Sequence, residues 1–548
     1  MIHTFLSAFL LFLIPITIGW FAMGKPKTQH LFILALATGI SYMIWRFQSP
    51  FPYPLNWDMW EHQTAVNAIL TGHVALLPSA LSDTFGFNGY TTLFHYILAL
   101  PQYLFSPGIL GFWWIAEVYM AFVTSMAAYA LTRAITKRDD TALVAGVLSA
   151  LCFESSIVFT PFFLMPQTAA AVIWCMGFAW IMSAKRFPNI VGLLVLSLAL
   201  FSMHFVIGTA GILTYLVYLI IRFTRVQKGS KGMRFTLYTM PLWVYAIAFG
   251  LSRYIPMGTI NWGEAANFIQ TIPEKLTDMQ GWYGYFPLFL VPIGMVALNR
   301  DPKASHAQTI AIISLTVLAV VFSPIAYSMK FYALGRYFVI MYVACGVMYF
   351  IDQAVIPKYK TGILFLFFAA QLVIFTTNVL RWQESLQFQG VASHVSTHDV
   401  ELATFLKKNY GNTRVMLISD PTTSYILEPL TGINTPGGAY MNSENRIRIA
   451  SLINASDSAR LSGSLQQIHD KLDTAPVSGY VLILSARYFQ WTNLLEAKQL
   501  GFAFNIWRPQ AMTLADTIAV AAFEKTMNVQ PVFTNASGAV FYIPRTGL

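Results

Sequence analysis

The chain is 548 residues long, 56% hydrophobic and only 11% charged, with a mean hydropathy of +0.56. That mix excludes a soluble globular domain and requires a polytopic membrane protein. The net charge of +10 does not call for a nucleic-acid partner, because residues 381–548 hold 13 basic and 12 acidic side chains and the remaining +9 lies in the membrane part, where loop charges set orientation.

Apolar runs long enough to cross roughly 30 Å of hydrocarbon occur near residues 4–24, 30–47, 111–132, 141–160, 166–184, 189–206, 208–223, 235–254, 284–299, 308–328, 334–351 and 361–379. They predict about twelve transmembrane helices. The first run lacks a basic n-region and a small-residue cleavage site, so it reads as a retained helix and not as a signal peptide. Between the second and third runs lies an outer segment, residues 48–110. It opens on Pro50, Pro52 and Pro54 and has helical periodicity from His62 to Leu70 and from Tyr90 to Leu104, which predicts helices lying along the membrane surface. A second outer segment, residues 255–282, is aromatic and polar and is expected to form a mobile lid.

From residue 382 the character changes. Short apolar runs, Val415 to Ile418 and Val481 to Leu484, alternate with helical stretches, Val400 to Lys408 and Ser464 to Leu472, the pattern of a small α/β domain. Val532 to Tyr542 predicts a hairpin turning at Ser537-Gly538. The expected division is a transmembrane module, 1–381, and an extracytoplasmic α/β domain, 382–548.

Orientation follows from the loops. If the loop of Lys25 and Lys27 is cytoplasmic, 16 of the 21 Lys and Arg before residue 381 fall on that side, as the positive-inside rule demands. The loop after residue 48 and everything after 381 then face outward, which implies a multi-pass protein of the plasma membrane. Cys152, Cys175 and Cys345 all lie in predicted spans, so the exported domain holds together by packing, although disulfides are chemically permitted outside. No Cys/His spacing suggests a structural zinc. Asn454-Ala-Ser456 and Asn535-Ala-Ser537 match the glycosylation sequon, a three-residue pattern of little specificity.

The segment Asn56-Trp57-Asp58-Met59-Trp60-Glu61-His62 places two carboxylates and an imidazole at a membrane boundary. Ionisable groups there are costly and mark a functional site by default. The plainer readings are an interfacial carboxylate or helix cap for Asp58, a solvated Glu61, and a His62 set among the interfacial aromatics Trp57 and Trp60. Glu154 sits in an apolar run near the outer boundary, with Glu117 and His204 as weaker cases; each is either a site residue or half of a structural pair. Arg253 and Arg336 near outer helix ends either snorkel to headgroups or serve a site. Asp58, His62 and Glu154 could together hold a divalent metal, though no spacing motif specifies one, and the sequence names no cofactor.

Asp58 and His62, then Ala68-Ile-Leu-Thr-Gly72, then Gly89-Tyr-Thr-Thr-Leu-Phe-His95-Tyr-Ile-Leu98 together resemble the first outer loop of GT-C-fold glycosyltransferases, the superfamily of protein O-mannosyltransferases and aminoarabinose transferases. Tyr332-Ala-Leu-Gly-Arg336-Tyr337 resembles the Arg-Tyr pair of a late span in those enzymes, and the α/β tail matches as well. Two positions depart from the pattern. Met59 follows Asp58 where an acid is usual, and Pro166-Gln167 stands where relatives often place a second acid, which leaves the second carboxylate open between Glu154 and others.

The resemblance implies a GT-C-like membrane enzyme that moves a sugar from a polyprenyl-phosphate carrier to a glycan, lipid or protein acceptor, with inversion. In that reading Asp58 is the general base, with His62 and Glu154 as further catalytic candidates. Arg336 and Lys330 grip the carrier phosphate, and Tyr337, His204, Arg253, Glu61 and His95 line the substrate site. The Trp-Trp-Asp-Tyr-Gly motif typical of oligosaccharyltransferases is missing, which favours a monosaccharide donor. A transporter of lipid-linked saccharide, or a non-catalytic envelope assembly protein, remains the alternative; a transporter is expected to show paired halves, and no internal repeat is visible.

Overall fold

The computed structural model describes residues 27–47, 57–70, 93–105, 109–154, 162, 164–183, 189–223, 238–247, 271–304, 306–325, 328–354, 357–384, 395–433, 478–490 and 511–544. Two compact units result. One, mainly helical, comprises 1–48 and 115–382; the other, mixed, comprises 49–114 and 383–548. The predicted span at 4–24, the loop portion 255–270, the expected helix at 464–472 and the Asn454 sequon fall outside the described residues.

The helical unit runs α1 (Thr28–Arg46), most of α4 (Ile109–Thr136), α5 (Asp139–Ala150), α6 (Pro166–Ser183), α7 (Ile190–Met203), α8 (Phe205–Phe223), α9 (Ile272–Tyr283), α10 (Tyr285–Arg300), α11 (Ala307–Val321), α12 (Tyr332–Ala354) and α13 (Lys360–Glu384). Local chemistry fixes many of the ends. Asp139 and Asp140 occupy the first turn of α5, where the backbone dipole favours acids. Asn189 caps α7 by accepting from the Val191 N–H, and Thr271 with Glu274 forms a capping box on α9. On α7 and α13 large apolar side chains such as Leu194, Leu198, Phe365 and Val373 point outward, as they do in helices solvated by lipid.

Among the described residues five helices are long and apolar enough to cross a membrane, or six if α9 and α10 form one broken span; α7 and α11 are apolar but shorter. Multiple apolar helices are therefore present, without reproducing a count of twelve. The run 141–160 is not one continuous helix: α5 stops at Ala150, and residues 151–154 are non-helical. The expected lid is in part regular structure, since 272–283 is α9, which bends by 101° into α10 at Gly284, whose φ of +82° favours glycine. α10 and α12 approach backbone to backbone. A Cβ on Gly294 would lie 1.8 Å from the Tyr342 carbonyl oxygen, and one on Gly346 would lie 2.5 Å from that of Leu290, so two facing glycines permit the crossing.

The mixed unit contains α2 (Trp57–Leu70), α3 (Leu93–Phe105), the start of α4, α14 (Thr397–Tyr410), β1 (Val415–Ile418), α15 (Pro421–Thr431), β2 (Gly479–Ser485), α16 (Leu514–Met527), β3 (Phe533–Asn535) and β4 (Gly538–Pro544). Its sheet has the order β1-β2-β4-β3, with β1 and β2 parallel and the other pairs antiparallel. The period of two sorts side chains onto two cores. Val415, Leu417, Val481, Ile483 and Val540 face α14 and α15 residues, and Trp60 of α2 joins that core. Met416, Ile418, Tyr480, Leu482 and Phe541 pack with Val520 and Phe523 of α16 on the other face. A sheet covered on both faces reads as continuous apolar runs, as β1 and β2 do.

The hairpin forms one residue earlier than the sequence suggests. Ala536 and Ser537 make the turn, with the Asn535 side-chain oxygen accepting from the Ser537 and Gly538 N–H groups. Gly538 already pairs with Asn535 and Ser485 in the sheet, where a Cβ would come within 2.8 Å of the Leu484 carbonyl oxygen.

Candidate active site

The acidic segment folds as the start of α2. Asp58 is the second residue of that helix, and Glu61 lies one turn on; the side chains of both fall outside the described residues. The described side chains around them are covered. Met59, Trp60, His62, Gln63, Ala65 and Val66 are all buried, so Trp60 is a core residue of the mixed unit and not part of an interfacial belt.

Three polar links hold α2 in place. His62 Nδ1 and His95 Nε2 of α3 are 3.0 Å apart, with the His62 ring edge-on to Phe94. Gln63 and Gln102 of α3 exchange amide hydrogen bonds of 3.0 and 3.1 Å. Gln63 also donates to Asn67 Oδ1 at 2.8 Å, and the Asn67 amide donates to the Pro429 carbonyl at 2.7 Å. That carbonyl belongs to the last turn of α15, where helix acceptors lack intrahelical partners. Burial lowers the His95 pKa to about 4, so the His95 imidazole is neutral at physiological pH.

In the helical unit Glu154 and Arg336 form a buried ion pair, with Arg336 Nε donating to Glu154 Oε1 at 3.0 Å. The Tyr283 hydroxyl donates to the same oxygen at 3.0 Å and contacts the Tyr332 hydroxyl. The guanidinium also reaches Ser149 Oγ at 3.4 Å and lies over the Tyr337 ring, 5.4 Å from its centroid. The sequence singled out Glu154, Arg336 and Tyr337, and the fold brings them together. Tyr283 and Ser149 escaped notice, and Tyr332 was quoted only as the start of the Arg336-Tyr337 motif, although it lies four residues before Arg336 on one helix and so shares its face. Glu117 is likewise matched: it pairs with Arg46 and accepts from the Tyr42 hydroxyl at 2.9 Å.

Lys330 lies on the 3-10 turn Ser328–Phe331 that leads into α12. It is half-buried and close enough to act electrostatically on His204, the residue between α7 and α8. The same turn is anchored by Lys275, a buried residue the sequence reading passed over. Its three ammonium hydrogens go to the Val321 carbonyl (3.0 Å), the Ser323 carbonyl (2.7 Å) and Ser328 Oγ (2.7 Å), closing the C-terminal end of α11 with positive charge. Arg253 lies outside the described residues. Among the described residues no three His, Cys, Asp or Glu converge as a metal would require, and the proposed trio includes the undescribed Asp58 side chain.

No family model matches the chain, and no curated protein matches it either. Among solved structures, it is similar to the archaeal oligosaccharyltransferase AglB from Archaeoglobus fulgidus in complex with an inhibitory peptide and a dolichol-phosphate, at 11% identity and a TM-score of 0.46 over 85% of this chain and 71% of that one. It is also similar to the Archaeoglobus fulgidus oligosaccharyltransferase tethered to an acceptor peptide (12% identity, TM-score 0.48, 90% of this chain and 72% of that one) and to its apo form (11% identity, TM-score 0.48, 88% and 73%). At these identities and TM-scores the roles of individual residues do not carry over.

Proposed function

We propose that this chain is an inverting membrane glycosyltransferase that uses a polyprenyl-phosphate-linked sugar, with Asp58 as general base. The observation that carries this reading is the placement of Asp58 in the first turn of a helix in which Met59, Trp60, His62 and Gln63 are buried. A carboxylate there is held on a rigid element at the helix end that stabilises negative charge. As the acceptor oxygen or nitrogen bonds to the anomeric carbon, its proton passes to Asp58. The bond from that carbon to the carrier's phosphate oxygen breaks, and its electron pair leaves with polyprenyl phosphate. The leaving phosphate needs positive charge more than an acid. Lys330, with His204 beside it, supplies that charge, while Arg336 contributes through the Glu154 pair that fixes the start of α12. Acceptor selection falls to the mixed unit, on the extracytoplasmic side that the loop charges imply.

The test is release of free polyprenyl phosphate from polyprenyl-phosphate sugars by the purified protein. Release by wild type and loss in Asp58→Asn, of about a hundredfold or more for a missing base, supports the reading; equal release by both removes Asp58 from the mechanism. Lys330→Ala is expected to raise the donor KM. The pairing of Glu154 and Glu117 with arginines favours the enzyme over a transport path lined by ionisable carboxylates.

A further inference from the structure

Among the described residues three that are not glycine have a positive φ: Lys137 (+58°), His306 (+60°) and Asn528 (+51°). Asparagine tolerates that conformation, whereas lysine and histidine take it at a cost that glycine would avoid. The two costly positions meet at one end of the helical unit. Lys137 follows the last residue of α4, and His306 precedes the first of α11. Tyr218 of α8 is fully buried; the His306 ring meets it edge-on with centroids 5.6 Å apart, and the Arg222 guanidinium lies 6.0 Å from its centroid. Lys137 is close enough to act electrostatically on both Arg222 and His306.

Cations are thus gathered where they repel one another. Burial first, then Arg133 and Arg222, hold the Lys137 ammonium below its ordinary range; burial, then Arg222 and Lys137, do the same to the His306 imidazole. The adjacent acids are engaged elsewhere, Asp139 by Arg133 and Lys27 and Asp140 by Arg138. A plain reading makes the cations helix caps, since Lys137 donates to the Ala134 carbonyl and Arg222 to that of Ile181, each in the last turn of its helix. Capping engages one of the three ammonium hydrogens of Lys137, and it gives no reason for a histidine in the left-handed position before α11, a kind of strain that gathers at ligand clamps. On α8 the exposed apolar residues Leu213, Leu216 and Ile220 lie about half a turn round the helix from Tyr218 and Arg222, so the cluster belongs to the face of α8 turned away from lipid.

We propose that Lys137, Arg222 and His306 form a phosphate-binding site on the side that the loop charges assign to the cytoplasm. The guanidinium offers paired donors to two phosphate oxygens, the ammonium a compact charge, and the imidazole a further N–H. The bound anion offsets the repulsion among the cations that hold it. A soluble phosphate and the headgroup of an anionic lipid share this chemistry. The site shares no residue with the transferase reading and stands without it.

The first experiment needs no variant. Lys137 and Lys303 are exposed lysines of loops on this side; the full chain in detergent micelles is treated with an amine-acylating reagent, and each lysine is read by peptide mass. Inorganic phosphate, with ionic strength held by chloride, is expected to slow acylation of Lys137 about tenfold at ten times its dissociation constant and to leave Lys303 unchanged. Slowing by phosphate assigns a soluble ligand. Slowing by phosphatidylglycerol alone, with phosphatidylcholine as the control, assigns a lipid headgroup. Slowing by neither, or equal slowing at Lys303, overturns the site. In a second arm, Lys137→Asn with His306→Asn keeps side chains suited to the left-handed backbone. Without the ligand this variant should unfold at or above the wild-type temperature, and the rise in that temperature on adding the ligand should fall well below the wild-type rise. Arg300→Asn with Lys303→Asn should keep the rise; equal rises in all three proteins overturn the proposal.

Discussion

Arg336 illustrates how one side chain can look like a phosphate ligand in sequence and serve another group in the fold. Its guanidinium is 3.0 Å from the buried Glu154 carboxylate and also touches Ser149 and the Tyr337 ring. Removing one member of a buried pair strands the other and costs about 3–5 kcal/mol. Arg336→Ala is accordingly expected to lower the thermal unfolding midpoint sharply in detergent, and a double replacement of Glu154 and Arg336 by Gln and Met to recover most of the loss. If Arg336→Ala unfolds at the wild-type temperature and weakens only donor binding, the guanidinium is a phosphate ligand first. His95 gives a prediction with a sign. Its folded pKa of about 4 lies below the ordinary value of 6.5, so the unfolded chain binds the proton more readily between those values. Its neutral imidazole is tolerated above pH 6.5, and stability is lost as pH falls from there toward 4, by roughly 3 kcal/mol at the lower end. Protection of the α2 and α3 amides, taken relative to the intrinsic exchange rate at each pH, should therefore fall between pH 7 and pH 5 in the wild type and change much less in His95→Gln.

At the scale of elements, α2 depends on neighbours distant in sequence. Asn67 on α2 donates to the carbonyl of Pro429 on α15, and through Gln63 it is tied to α3. Asn67→Ala deletes the donor while leaving the helix propensity high, so the expected cost is about 1 kcal/mol, read as faster amide exchange in α2 and α15 but not in β2. Unchanged exchange in α2 would mean that the amide chain does not hold it. These links also mark what a sequence can disclose. The apolar runs of β1 and β2, the helical period of α14 and the spans 30–47 and 361–379 depend on local pattern and are legible. The Arg336-Tyr337 motif is legible too, because both residues occupy one short stretch. The end of α5 at Ala150 is not legible, because the run 141–160 contains neither Pro nor Gly beyond that point, and Glu154 is its one charge. Tyr283, Lys275 and Trp60 are invisible for a different reason: their partners lie 46 or more residues away, and periodicity carries no information about pairing.

At the scale of the whole molecule, the mixed unit is assembled from two stretches, 49–114 and 383–548, separated in the chain by most of the helical unit. Trp60 supplies the consequence. It is fully buried among Val395, Leu402, Leu406, Leu417, Ile426 and Val481, and a tryptophan withdraws about 150–250 Å² from water, worth roughly 4–6 kcal/mol at 25 cal/mol per Å². That is comparable to the net stability of a small domain, about 5–15 kcal/mol. Residues 383–548 made alone should consequently be marginal, with exposed apolar surface that binds a hydrophobic dye and a broad thermal transition. Adding residues 49–114 in the same polypeptide through a flexible linker should sharpen the transition, and Trp60→Ala in that fusion should abolish the gain. The same dependence orders folding in the cell: the intervening helices must be inserted before the late segment can close on the early one, because bringing Trp60 into the core of the late segment carries the loop-closure cost of everything between them. A cooperative transition of 383–548 alone, equal to that of the fusion, would show that α2 merely rests on a finished domain, and the coupling of Asp58 to the sheet would then have no energetic basis.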